Sequence, residues 1–69
     1  MSSGHESLVK MANQIAQYFV SEPDRALAVE GVRQHIQSFW TPAMRRQLGE
    51  WSQANPQAEL HPLVREALA

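Results

Sequence analysis

Three histidines are the residues of this sequence with the widest chemical range: His5, His35 and His61. Imidazole binds metals and transfers protons near neutral pH. None of the three has a second His, Asp or Glu at the spacing of three or four residues that sets two ligands on one helix face. We therefore expect no metal site. His35 is expected to be half-buried with a hydrogen-bond partner, and His61 to be a helix cap or loop residue.

Sequence patterns for nucleophilic catalysis, phosphate binding and acid–base catalysis are absent as well. No serine stands in a Gly-x-Ser-x-Gly turn, and the three glycines are too scattered to cradle a phosphate. The carboxylates form no obvious acid–base pair, and Glu66 is expected to pair with a nearby base. The absence of cysteine removes the thiolate ligands of zinc fingers and iron–sulfur clusters. The sequence therefore predicts no catalytic, cofactor-binding or metal-binding residue, and a chain that is not itself an enzyme.

Length and charge narrow the class of protein further. The 69 residues predict a single small helical domain over residues 1–69, with residues 1–5 as a flexible N-terminus. A core this small usually needs a disulfide, a metal or a partner for stability. Since the sequence has no cysteine and no predicted metal site, a partner is the remaining option. A net charge of −1 provides no basic excess for nucleic acid. Because we find no signal peptide and no apolar run of about 20 residues, we expect a cytoplasmic protein that does not bind membranes.

The first helix is predicted over residues 6–20 and has an unusually broad apolar arc. One ridge contains Leu8, Met11, Ala12, Ile15 and Phe19. A second ridge beside it contains Val9, Ala16 and Val20, and Tyr18 widens the arc further. Either this helix lies at the centre of the domain, or one ridge is covered by another protein.

Prolines divide the rest of the chain. A second helix is predicted from the turn at residues 21–24 to about residue 40, with Val29, Val32 and Ile36 as its apolar stripe. Phe39 and Trp40 flank this stripe on opposite sides. Gly31 lies inside it, and a tolerated surface glycine is favoured over a close helix crossing.

Thr41 and Pro42 form a helix N-cap followed by a proline at the first helical position, which predicts that a third helix starts there. Asn55 and Pro56 end it, and residues 60–68 form a short fourth segment. The predicted fold is all-α, a small three-helix bundle with a short C-terminal helix or turn.

Six residues are candidates for a partner interface. Arginine and tryptophan are enriched in interface hot spots, and the broad arc of the first helix supplies apolar candidates. The proposed interface residues are Trp40, Arg45, Arg46, His35, Val9 and Val20.

Several segments, taken in order, resemble the small delta subunit of NAD-dependent formate dehydrogenase. They are residues 8–16 (LVKMANQIA), the pair His35 and Ile36, then Phe39, Trp40 and Pro42, then Met44, Arg45 and Leu48, and residues 60–64 (LHPLV). The resemblance spans roughly residues 8–67.

The resemblance implies a cytoplasmic complex that oxidises formate to carbon dioxide and passes electrons to NAD. Its molybdenum (or tungsten) pterin, iron–sulfur clusters and FMN are expected on the alpha, beta and gamma subunits, with the alpha subunit bearing the molybdenum. The delta chain is expected to carry none of these cofactors and to support assembly or stability. The alternatives are a transient maturation factor for molybdenum cofactor insertion and a free-standing helical interaction module.

Overall fold

The computed structural model describes residues 4–56 and 59–69, with only the backbone for Gly4 and His5. Its helices are α1 (Gly4–Phe19), α2 (Arg25–Phe39), α3 (Pro42–Ala54) and α4 (Pro62–Leu68). No strand occurs among the described residues. The predicted all-α class is confirmed, and the C-terminal segment is a helix. Of the predicted flexible N-terminus, residues 1–3 lie outside the described part of the chain, while α1 already begins at residue 4.

Side chains just outside α2 and α3 fix where these helices begin. The carboxylate of Asp24 accepts a hydrogen bond from the backbone N–H of Ala26 at 2.9 Å. The hydroxyl oxygen of Thr41 accepts one from the backbone N–H of Met44 at 3.1 Å, and Pro42 occupies the first turn. Such caps satisfy N–H groups that have no partner within the helix. The helix start predicted from Thr41 and Pro42 is therefore confirmed.

The seven residues of α4 are too few for a stable helix in isolation, so this helix depends on docking. His61 caps it, because its Nδ1 accepts a hydrogen bond from the backbone N–H of Leu63 at 3.1 Å. The backbone N–H of His61 donates in turn to Oδ1 of Asn13 on α1 at 2.9 Å. The predicted capping role of His61 is confirmed, and the same residue anchors α4 to α1.

The core lies around α2, which packs most extensively against α4 and next against α1. Three of its larger side chains, Leu48, Val32 and Val64, are fully buried. No polar or charged residue is buried in the described part of the chain. The full set of buried residues is Leu8, Ala12, Ala16, Ala28, Val29, Val32, Ile36, Trp40, Leu48, Leu60, Leu63, Val64 and Ala67.

Candidate functional site

The contact between α2 and α4 is closed at its surface by polar groups. Arg25 at the start of α2 forms an ion pair with Glu66, and its Nε donates to Oε2 of Glu66 at 2.8 Å. Further along α2, Nε of Arg33 donates to the backbone carbonyl of Ala67 at 3.3 Å. The hydrogen bonds from Arg25 hold the pKa of the Glu66 carboxyl below its ordinary value. The predicted pairing of Glu66 with a base is confirmed, and this edge of the core is closed within the chain.

The contact between α1 and α2 is open at its surface and exposes large apolar side chains. Tyr18 is 78% exposed, Phe39 is 74% exposed and Met11 is 41% exposed. These side chains border a depression that we call the aromatic groove. It is lined by Met11, Gln14, Ile15, Tyr18, Phe19, His35, Phe39 and Trp40. Because single exposed apolar residues are ordinary but contiguous ones mark binding surfaces, the groove is the candidate functional site.

Aromatic contacts shape the walls of the aromatic groove. The rings of Tyr18 and Phe19 meet edge to face, with centroids 5.0 Å apart and an interplanar angle of 86°. Across the groove the imidazole of His35 lies beside the ring of Phe39, with centroids 4.7 Å apart. The edge-to-face arrangement of Tyr18 and Phe19 is one that aromatic quadrupoles favour. His35 is half-buried as predicted, but its described partner is this ring rather than the expected hydrogen-bonding group.

The surface of α1 explains why the groove is left uncovered. Its buried stripe consists of Leu8 and Ala12 from the first predicted ridge and Ala16 from the second. Met11 and Ile15 flank this stripe on the side of the aromatic groove. The arc of α1 is thus wider than the surface that the other three helices cover. The uncovered part faces the aromatic groove.

Gly31 allows the end of the groove near Phe19 to form. A Cβ atom at this position would lie 2.5 Å from Cε1 of Phe19, well inside van der Waals contact. The ring of Phe19 therefore lies directly over the backbone of α2. The interpretation of Gly31 as a tolerated surface glycine was wrong. The ring of Phe19 can approach α2 this closely because glycine has no side chain.

The structure brings only two of the six proposed interface residues together at this site. His35 and Trp40 both line the aromatic groove, although Trp40 is 6% exposed and belongs mainly to the core. Val9 is half-buried and packs against the core, and Val20 is exposed near the turn after α1.

The two arginines lie on α3 and do not line the aromatic groove. Arg45 is half-buried and Nη1 donates to the backbone carbonyl of Gln37 at 3.5 Å, while Arg46 is exposed. Arg45 thus links α3 to α2.

Met11, Ile15, Tyr18 and Phe39 line the groove and were not among the proposed interface residues. The broad arc of α1 was the signal that pointed towards the first three. Phe39 was recognised only as a flank of the α2 stripe. Trp40 is buried and Phe39 is exposed because of where α1 packs on α2. The periodicity of α2 alone does not predict where α1 packs.

The arrangement can bind but offers little for catalysis. The wider part of the aromatic groove has a volume of about 430 Å³, within the range of small-molecule sites. However, its two walls, Tyr18 and Phe39, are themselves mostly exposed, so the groove does not enclose a ligand as such sites do. No group of His, Asp or Glu suited to holding a metal ion occurs among the described residues. A protein surface is the better fit.

In the described part of the chain, no helix is both long enough and apolar enough to cross a membrane.

Comparison with protein families matched most of the chain to a known family. The model of the family FdsD, described as the NADH-dependent formate dehydrogenase delta subunit, matches residues 7–68. The match includes every residue that lines the aromatic groove. Neither the curated proteins nor the solved structures compared with the chain gave a match.

Proposed function

The chain belongs to the family of NADH-dependent formate dehydrogenase delta subunits, and from that premise we propose that it is a non-catalytic accessory subunit. In this proposal it binds the larger alpha, beta and gamma subunits of a cytoplasmic enzyme complex. Its role is to support the assembly or the stability of the subunits that carry the cofactors.

The aromatic groove is the observation that carries the proposal. A subunit needs a surface that remains apolar and exposed until its partner covers it. Tyr18 and Phe39 provide such a surface, with Met11 between the two helices at one end. Aromatic residues are enriched at the centres of protein interfaces and at hot spots. The groove therefore suits docking on a larger subunit.

The residues of this chain do not suit the cofactors of the enzyme. Iron–sulfur clusters are held mainly by Cys thiolates, and the chain has no cysteine. The described residues contain no cluster of acidic and histidine side chains for a metal ion. In the proposal the molybdenum or tungsten pterin, the iron–sulfur clusters and FMN, as well as the NAD site, all belong to the larger subunits.

The proposed mechanism is stabilisation by binding. A chain that binds the folded, cofactor-loaded form of a large subunit, and not its unfolded form, shifts the equilibrium towards the loaded form by mass action. At a concentration a hundred times the dissociation constant, this shift amounts to about 2.7 kcal/mol. Catalytic residues on the delta subunit are not required for this effect.

The test compares the enzyme complex produced with and without this chain. We expect the chain to co-purify with the larger subunits at a fixed stoichiometry. We also expect the complex made without it to contain less bound molybdenum or tungsten, or to lose formate-oxidising activity faster on heating. An enzyme without the chain that is equally active, equally loaded and equally stable would contradict the proposal.

The same experiment separates a permanent subunit from a transient maturation factor. A maturation factor would be missing from the mature enzyme, yet its absence during expression would leave the enzyme inactive. Adding purified chain to enzyme made without it then decides the question. Restoration of thermal stability by this addition supports a subunit that stays in the complex.

A further inference from the structure

The composition of the aromatic groove restricts what can occupy it. No Asp, Glu, Lys or Arg is among the residues that line it. The ion-paired Arg25 and Glu66 lie instead at the contact between α2 and α4. A charged side chain pressed into the groove would lose water without gaining an opposite charge, which is strongly unfavourable. The part of the occupant that faces the groove is therefore uncharged.

The backbone of the two walls restricts the occupant further. Both walls are helices, α1 and α2, whose backbone groups are hydrogen-bonded within the helix. They offer no strand edge to which an extended segment could add. An extended segment would bring unpaired N–H and C=O groups against apolar side chains, whereas a helix satisfies its own. The groove therefore favours a helical occupant.

The length of the groove sets how much of such a helix it can hold. On α1 the lining runs from Met11 to Phe19, which is roughly 12 Å along the helix axis, or about two turns. The ring of Phe19 lies over Gly31 at one end. Apolar side chains at positions i, i+3 or i+4, and i+7 span two turns of a helix and are the usual anchors for binding in a groove.

The area of the groove argues against a second copy of this chain as the occupant. A large side chain offers about 150–250 Å², so the exposed parts of Tyr18, Phe39 and Met11 together amount to roughly 400 Å². A stable interface takes about 800 Å² from each partner. Two copies docked groove to groove would fall short of this area.

We propose that the aromatic groove between α1 and α2 holds an amphipathic helix of one of the larger subunits, with about two turns of uncharged, apolar side chains facing Tyr18 and Phe39. This inference rests on the proposed function and specifies the surface and the kind of partner segment.

A photo-crosslinking residue placed at Phe39 in the full chain, co-expressed with the other subunits, tests the proposal. We expect mass spectrometry to find crosslinks to one helix of one larger subunit, with apolar residues at the spacing given above. The matched control carries the crosslinker at the exposed Gln53 of α3 and should not label that helix. Crosslinks to a second copy of this chain, to an extended segment or to a charged helix face would overturn the proposal.

A charge substitution gives an independent readout. We expect Tyr18→Glu to weaken binding to the larger subunits at least thirtyfold. Its control, Gln17→Glu, adds the same charge at the neighbouring exposed position and should change binding less than threefold. Both substitutions are at exposed positions, so the isolated chains should unfold at similar urea concentrations.

The outcomes distinguish the two proposals. If the unsubstituted chain does not associate with the larger subunits, the proposed function fails. If it associates and both variants bind equally well, the proposed function stands and the helix-binding groove is refuted.

Discussion

The two sides of α2, towards α4 and towards α1, differ in how completely their apolar surface is covered. Towards α4, which contributes the buried side chains of Leu63, Val64 and Ala67, Arg25 and Glu66 close the edge of the apolar contact. Towards α1, the apolar contact continues into the aromatic groove, where Phe39 is 74% exposed. One side satisfies its apolar and polar groups within the chain. The other side leaves apolar groups without cover.

This difference separates residues that fold the chain from residues that are free to bind. A small domain buries too little surface to leave large aromatic side chains outside its core without consequence. Because α4 already covers one side of α2, the proposed partner would cover only the side towards α1. The following predictions test whether the two sides can be perturbed separately.

The largest effect is expected on the closed side. Leu63 of α4 is 4% exposed, and Leu63→Ala should lower the free energy of unfolding by about 3 kcal/mol, because it removes packing and leaves a cavity. Urea denaturation followed by circular dichroism measures this loss. On the open side, Phe39→Ala should lower the stability of the isolated chain by less than about 1 kcal/mol. Equal losses for the two variants would mean that the two sides do not differ in this way.

Binding should show the reverse order. Phe39→Ala should weaken association with the larger subunits by about 2 kcal/mol, or roughly thirtyfold, since truncated aromatic hot spots typically lose this much. Isothermal titration calorimetry or quantitative co-purification measures the change. Ser38→Ala, at the adjacent exposed position, is the matched control and should bind normally. A normal affinity for Phe39→Ala would remove the groove from the interface.

A smaller effect is expected from two glycines inside helices, Gly31 and Gly49. Alanine normally stabilises a helix interior relative to glycine by about 1 kcal/mol, and Gly49 has open space where a Cβ would go. Gly49→Ala should therefore stabilise the chain. At Gly31 the same change forces the ring of Phe19 to move, at a cost of about 1–3 kcal/mol. Gly31→Ala should be less stable than Gly49→Ala by at least about 1 kcal/mol in thermal unfolding; equal stability would show that the ring moves freely.

The smallest effect is expected from the ion pair on the closed side. The hydrogen bonds from Arg25 lower the pKa of Glu66 in the folded chain. The pair therefore stabilises the fold at pH values above the ordinary glutamate pKa. This contribution is lost as the pH falls from the ordinary glutamate pKa through the lowered pKa of the folded state.

The exposed Arg25–Glu66 pair can be removed by Glu66→Gln. This change should slightly destabilise the chain at neutral pH, less so in high salt, and should have no effect once wild-type Glu66 is protonated. Urea midpoints measured at several pH values for both chains test this. A constant difference between their midpoints across the acid range would contradict the assignment.

The helices were predictable because their signals are local. Thr41 and Pro42 lie next to each other, and the hydroxyl of Thr41 reaches a backbone N–H only three residues away. Val29, Val32 and Ile36 are brought to one face by the helical repeat alone, and all three are buried as that repeat predicts. Nothing beyond neighbouring residues is needed for either feature.

The candidate site was only partly predictable, because it depends on how two helices cross. Phe39 and Trp40 flank the same stripe and are both aromatic, yet Trp40 is buried and Phe39 is exposed. The periodicity of α2 places them on opposite flanks without indicating which flank is covered. The same holds for Gly31, whose contact with Phe19 depends on the distance between α1 and α2.

The dependence of the core on α4 has a consequence for the order of folding. Leu63, Val64 and Ala67 cover α2 from the far end of the chain, and Arg25 pairs with a residue 41 positions later. During synthesis, α1 to α3 emerge first, and the side of α2 that α4 covers stays open until α4 has been made. Until then α2 presents apolar surface on both sides. We therefore expect a newly made chain to become selective for the proposed partner only after α4 has docked and left the aromatic groove as the remaining open contact.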